Sequence, residues 1–385
     1  MQDEIQLDES QQNAVEFCKN NKIVALTSPA GHGKTFLIGH IARELKKQGE
    51  SVELCSFTGR ASSRITEETG FKSSTIHSML QYRGTHFSRN TLEGISIICD
   101  ESSMLSSCLL AEIIKRNPSR LILAGDVAQL LPIEEGQPFH DIINLYPEMV
   151  AELTTSHRAK EAIYKAATEI RHGQIPKNLK SEGELFTCIN TGNPQKTHDY
   201  ILRLIKSEFL NLANTIILCP RNGKQCKDTK EFPPATINKL NIDIKKIVNP
   251  SEDRISENDK IMCTKNLSED NLFNGTLGTA VINDGVFNFL KDDGVMVPLS
   301  KAKIKHIQLA YCITTHKFQG SQSDNIIFVC LERDSYSLLN RPMIYTAITR
   351  AKKKCIVIGE MQAMKRAINI VPKKRTVLQK LSEDN

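Results

Sequence analysis

Residues 23–41 read Ile-Val-Ala-Leu-Thr-Ser-Pro-Ala-Gly-His-Gly-Lys-Thr-Phe-Leu-Ile-Gly-His-Ile, and no other stretch restricts the fold as tightly. Ile23 to Leu26 form an unbroken apolar run, as in a strand buried on both faces of a parallel sheet. The turn after it carries Gly31 and Gly33 and closes on Lys34-Thr35. Phe36, Leu37 and Ile38 then open a helical pattern. Strand, glycine turn and helix N-terminus together make a phosphate cradle. The backbone N–H groups of Ala30, Gly31, His32 and Gly33 and the helix dipole attract an anion. The Lys34 ammonium reaches β- and γ-phosphates, and the Thr35 hydroxyl suits Mg²⁺. The usual pattern begins with glycine; Ser28 stands there, and is small enough for the turn. The competing reading is a glycine-rich turn with no ligand.

The downstream chain argues for the ligand. Val52 to Phe57 reads as a second strand. Ile95 to Cys99 reads as a third, delivering Asp100-Glu101 at its C-terminal end, and Leu121 to Ala124 as a fourth, ending in Gly125-Asp126-Val127-Ala128-Gln129. Asp100 at a strand end can hold Mg²⁺ opposite Thr35. Glu101 is placed to orient and deprotonate an attacking water. Gln129 would emerge beside a γ-phosphate, where a neutral amide can sense hydrolysis. Upstream, Leu7 to Cys18 reads as a short helix capped by Asp8 or Ser10. On it Gln11 offers a donor and an acceptor to an adenine edge; the plainer reading is a surface glutamine. Residues 81–94 are polar, have no helical period, and read as a projecting hairpin.

The chain has 385 residues, which suits two or three domains rather than one core. Its charge of +6 leans only weakly towards a polyanion. The 11 cysteines include no C-x-x-C pair, so neither a zinc ribbon nor a disulfide framework is indicated, and reduced thiols fit. No apolar window is long enough to span a bilayer, and the opening MQDEIQLDES is acidic and polar, unlike a signal peptide. An intracellular protein is expected. The basic run Pro372-Lys373-Lys374-Arg375 offers a weak nuclear alternative, and a solvated tail is the expectation there.

The second half reads as another doubly wound sheet. Thr215 to Cys219, Asn325 to Leu331 and Lys354 to Gly359 are its strands, with a helical pattern over Pro342 to Arg350. Over 256–306 the pattern changes to short strands broken by Asn274-Gly275, Asp284-Gly285 and Asp293-Gly294. These are strong hairpin signals, and they predict an all-β insertion.

Taken in order, GHGKT, TGRAS, STIH, DESSM and GDVAQLLP resemble the first motor domain of a superfamily 1 DNA helicase, closest to the RecD-like and phage Dda-like group that moves 5′ to 3′. Leu153 to Arg158 resembles the family's arginine motif. Ile237-Asn238 with ENDKIMCTKN and FNGTLGTAV resembles the entry to its β-barrel. Ala310 to Ser321 and Tyr345 to Ala351 resemble motifs V and VI. The resemblance implies an α/β chain of two RecA-like doubly wound parallel-sheet motor domains. The first is expected at 1–150, with a hairpin insertion at 81–94. The second is expected at 151–255 and 307–385, with a small β-barrel at 256–306.

The resemblance also implies an ATP- and Mg²⁺-dependent helicase on single-stranded and forked or tailed duplex DNA. It would act as a monomer, off the membrane, in the cytoplasm of a bacterial or phage-infected cell, with replication or recombination proteins as candidate partners. Arg158 and Arg350 would bring charge to the γ-phosphate, and Gly320 and Gln322 would meet the nucleotide. Relatives carry Glu where Gln322 stands, which weakens the expected grip on ribose. Thr58, Arg60, Thr75 and His77, with Thr315, His316 and Lys317, would contact nucleic acid. Phe87 would be the strand-splitting wedge, or else pack its own hairpin. His157 reads as a neighbour of the cleft, not a metal ligand. The rivals are an RNA helicase, a protein-displacing translocase, an inactive helicase-like binding subunit and, more distantly, a small-molecule kinase.

Overall fold

A computed structural model describes residues 7–155, 161–292, 294–334, 338–374 and 376. The chain divides into two compact units, Met1–Ala159 with Pro372–Asn385, and Lys160–Val371. This differs from the expected break at 150/151: residues 153–155 stay with the first unit, and the chain returns to that unit at Pro372. Among the described residues no helix is long and apolar enough to cross a membrane.

The first unit is built on β1 (Ile23–Thr27), β2 (Ser51–Ser56), β3 (Ser73–Thr75), β4 (Ile95–Asp100), β5 (Arg120–Gly125) and β6 (Val150–Glu152). They form one parallel sheet of order β3-β2-β4-β5-β1-β6. Successive strand residues feed opposite cores, as the pleat requires. Val24, Leu26, Ile98 and Ile122 pack with Leu37, Ile41, Leu45 and Ile65 on one face. Ala25, Ile97, Cys99, Leu121 and Leu123 pack with Ile76, Leu109, Ile113 and Phe139 on the other. Helix α1 (Glu9–Asn20) starts in a capping box: Asp8 Oδ1 accepts the Gln11 N–H at 3.0 Å, and Gln11 Oε1 accepts the Asp8 N–H at 3.2 Å. Helix α2 (Lys34–Lys47) follows the glycine turn, and α3 (Gly59–Thr69) is capped by Thr58.

The second unit holds β7 (Leu179–Ser181), β8 (Glu184–Asn190), β9 (Thr215–Leu218), β10 (Lys260–Cys263), β11 (Leu277–Asn283), β12 (Val286–Lys291), β13 (Met296–Pro298), β14 (Ile307–Leu309), β15 (Cys312–Ile313), β16 (Ser323–Cys330) and β17 (Ala351–Gly359). The larger sheet runs β15-β9-β16-β17-β8-β7, parallel except at β7–β8. β7, β8 and the helix Pro194–Lys206 were not anticipated. Along β8 only Phe186 is buried, so its sequence has no legible period. The insertion is a five-stranded antiparallel sheet of order β13-β12-β11-β10-β14. Asp284 (φ 49°) and Gly285 (φ 74°) both take the left-handed region between β11 and β12, the two-residue turn that suits a twisted hairpin.

Where that sheet leaves the parallel one, Asp259 is fully buried and fully used. It accepts from Lys245 Nζ (2.6 Å), the Ser256 N–H (2.7 Å), Asn249 Nδ2 (2.9 Å) and the Tyr311 hydroxyl (2.9 Å). Burial and the Asp259 charge push the Tyr311 hydroxyl well above its ordinary range, so it stays a donor. Lys245→Met would strand the carboxylate, at a cost of about 3–5 kcal/mol. Urea unfolding of the full chain should begin markedly earlier; an unchanged curve would contradict this account.

Candidate active site

Strand register brings the chemical residues of the first unit to one sheet edge. Thr27 pairs with Gly125, Cys99 with Leu123, and Ser56 with both Asp100 and Thr75. The segments beginning at Ser28, Thr58, Ile76, Glu101 and Asp126 therefore all leave at the carboxyl ends of parallel strands, where such sheets bind ligands. The Ser28 N–H donates to Gly125 O at 3.0 Å, tying two of these turns together. The Ser28 hydroxyl is buried and has no partner, as is the Ser103 hydroxyl beyond Glu101.

Gly31 (φ 88°) and Gly33 (φ 74°) take the left-handed conformation that the cradle needs. A Cβ at Gly33 would also stand 3.1 Å from Gln11 Nε2. Gln11 is thus buried against the turn, and its oxygen serves the capping box. His32 is buried in the turn, its Nδ1 3.4 Å from Ala30 O. At the helix start the Lys34 ammonium is paired with Asp100 Oδ1. Burial pulls the Lys34 pKa down, but the carboxylates of Asp100, Glu101 and Asp126 outweigh it and the net shift is upward, so the side chain stays charged. Asp100 also accepts the Glu101 N–H at 2.7 Å. Glu101 itself sits at φ 55°, a strained setting for a non-glycine residue, kept because the strand end and the following turn are both buried. Gln129 is buried in the next turn, its N–H on Asp126 O at 3.1 Å.

Thr35, half-buried near the start of α2, and Asp100, buried at the end of β4, carry oxygen donors of the kind that suits a hard dication. Among the described residues no three His, Cys, Asp or Glu could hold a metal by themselves. Such a minimal set is usual for a cation held largely by phosphate and water. Two residues near these charges had no role from sequence. Asp126 adds its charge to the field around Lys34. Arg64 on α3, paired with Glu68 at 2.6 Å, also feels Asp100 and Glu101.

The proposed nucleic-acid residues of this unit lie along the same edge. Thr58 and Thr75 are N-caps, accepting from Ala61 N–H (3.2 Å) and Ser78 N–H (3.1 Å), and Arg60 is in the first turn of α3. Residues 81–94 carry one antiparallel bridge, Tyr82 to Phe87, rather than two strands. Phe87 is half-buried, with ring centroids 5.1 Å from Tyr82 and 5.7 Å from His77 and the Arg116 guanidinium 5.8 Å from its ring. Arg116 also bonds the carbonyls of Arg89 and Phe87, and Arg89 is held by both oxygens of Glu53 at 2.8 Å. Phe87 thus packs within its own loop, and Tyr82 is the more exposed ring.

In the second unit Thr315 is buried with an unpartnered hydroxyl, and neighbouring Gln319, not singled out from sequence, is buried with neither amide atom bonded. His316 is half-buried and Lys317 exposed. Gly320 takes φ 76°. The Ser323 N–H donates to Arg350 O at 3.0 Å, so half-buried Gln322 and buried Arg350 lie at one edge of neighbouring strands. Arg158 and His157 lie outside the described residues.

A glycine turn at the head of a helix beside an acidic strand end, followed by a second parallel-sheet unit, is the layout of a P-loop nucleotide-binding chain. Residues 6–187 match the AAA domain family and residues 309–358 the UvrD-like helicase C-terminal domain. The ATP-dependent RecD2 DNA helicase of Deinococcus radiodurans is 29% identical over 370 residues, covering 93% of this chain and 50% of that protein. The RecBCD enzyme subunit RecD of Mycolicibacterium smegmatis is 26% identical over 418 residues, covering 97% and 74%. Over nearly its whole length the chain is similar to RecD-type helicases, a group whose named members include an ATP-dependent DNA helicase. It spans half the length of the Deinococcus relative. The fold is that of solved Pif1 helicases. One, from work on forked duplex unwinding, has a TM-score of 0.59 at 18% identity, with 99% and 97% of the chains covered. Bacteroides Pif1 bound to single-stranded DNA has 0.54 at 18%, with 99% and 96% covered.

Burial lowers the pKa values of His77, His140 and His316; the Glu134 charge opposes it at His77, and the Val127 carbonyl chiefly at His140. A depressed histidine contributes stability that is full above its unfolded value of 6.5 and is lost as pH falls through the folded pKa. The melting temperature should therefore decline as pH drops below 6.5; a flat profile from pH 7 to 5 would refute this.

Proposed function

We propose that the chain is an ATP- and Mg²⁺-dependent DNA helicase that moves 5′ to 3′ on single-stranded DNA and unwinds forked or tailed duplexes. The observation that carries this is the buried Lys34–Asp100 pair, set in a glycine cradle beside Glu101 and Gln129. The relatives named as ATP-dependent DNA helicase and RecD supply the motor context. Lys34 binds and orients the phosphates, leaving Asp100. Thr35 and Asp100 would hold Mg²⁺, which would neutralise phosphate charge. Glu101 orients the attacking water and takes its proton, and Gln129 senses hydrolysis from beside the γ-phosphate. Arg158 and Arg350 stabilise transition-state charge, Gly320 and Gln322 meet the nucleotide, and Gln11 reads adenine.

Thr58, Arg60, Thr75, His77, Thr315, His316 and Lys317 hold the strand through phosphate and stacking contacts that carry little sequence information. The antiparallel sheet of β10–β14 corresponds to the inserted barrel of the family, and 81–94 to its projecting segment. The protein works as a monomer in the cytoplasm, with replication or recombination proteins as partners.

ATP hydrolysis should rise on adding single-stranded DNA and vanish in Lys34→Ala, and unwinding should need a 5′ tail. Stimulated hydrolysis without unwinding would point to a translocase, and stimulation by RNA alone to an RNA helicase. As a wedge, Phe87 must lend its flat ring to a base pair. Phe87→Leu retains packing volume, so lost unwinding at unchanged melting temperature supports the wedge, and wild-type unwinding rules it out.

A further inference from the structure

The run Pro372-Lys373-Lys374-Arg375 is the motif that the helicase reading leaves without a task. It was expected as a solvated tail, yet the chain folds back there onto the first unit. The Lys374 N–H donates to Gln137 Oε1 at 3.2 Å. Its ammonium donates to successive carbonyls, those of Pro132 (2.5 Å), Ile133 (3.4 Å) and Glu134. An ammonium has three donors and no acceptor, so this one is fully used. Thr376 is buried just beyond.

The segment it grips is 126–137, which carries Gln129. Within the segment, Asp126 accepts the N–H groups of Ala128 and Gln129. A second tie runs to the turn that follows Asp100-Glu101. Ser106 Oγ donates to Glu134 Oε2 at 2.6 Å, and the Ser107 N–H to Glu135 O at 3.1 Å. Gly136 (φ 84°) approaches so closely that a Cβ would stand 1.9 Å from Ser107 Oγ. The third tie comes from Lys374, 240 residues along the chain from Glu134. Burial lowers the Lys374 pKa, with Glu134 and Glu135 opposing.

We propose that Lys374 is a positioning residue for hydrolysis: the C-terminal segment straps the 126–137 loop and so holds Gln129 in its working place. This rests on the reading of Gln129 given above. Lys374→Met keeps the aliphatic stem and removes every side-chain donor, whereas Lys374→Arg restores a cation. In the full chain, Lys374→Met should raise hydrogen exchange across 127–137. It should also lower kcat for DNA-stimulated hydrolysis about 5-fold, the order expected for one lost contact of ~1 kcal/mol. KM for ATP should stay unchanged, and Lys374→Arg should recover most of kcat. A merely structural role would lower the melting temperature without separating kcat from KM. Unchanged exchange overturns the strap, and raised exchange with wild-type kcat overturns the positioning role. An inactive wild-type chain would defeat the helicase reading instead, while exchange would still decide the strap.

Discussion

The ion pair between Lys34 and Asp100 is the contact on which the first unit's chemistry depends. Both groups are largely withdrawn from water, so neither could carry charge there alone. Glu101 and Asp126 add negative charge around the ammonium, and the Glu101 N–H adds a donor to Asp100. A phosphate arriving at the glycine turn would offer Lys34 a second anion and free Asp100 to turn elsewhere. A buried pair that can exchange partners is a physical basis for a nucleotide-dependent state.

That pair exists only because a parallel sheet brings remote segments to one edge. Lys34 follows β1, and Asp100 ends β4, with β5 between them. The two apolar faces of each strand hold this order, since a one-residue slip would move Val24 and Leu26 to the wrong core. The same edge carries Thr58, Thr75 and His77, so nucleotide and strand contacts would share one rigid base. Arginines brace the outer parts: Arg89 on Glu53, and Arg116 on the carbonyls beneath Phe87. In the second unit the buried Asp259 plays the matching role where the antiparallel sheet departs.

Much of this was legible in the chain because its signals are local. A run such as Ile23 to Leu26 can satisfy its burial only in a sheet interior. Gly31 and Gly33 are needed where φ is positive, and Asp284-Gly285 specifies a tight hairpin. Where the signal was not local, reading failed. β8 buries one residue of its length, and β7 is shorter still, so neither shows a period. Phe87 could be a wedge or a packing residue from sequence, and only its neighbours His77, Tyr82 and Arg116 favoured packing.

The sequence by itself determined the class of engine: the phosphate cradle, the acidic strand end, two parallel sheets and an antiparallel insertion all follow from short-range pattern. Tertiary structure alone decided where long-range charges are used. Asp126 joins the field around Lys34, Asp259 becomes the buried hub of the insertion, and Lys374 leaves the solvent to bind carbonyls far back in the chain. The reason is electrostatic. A charged side chain in a linear sequence defaults to water, and only folding reveals which ones lose their water and must find a partner.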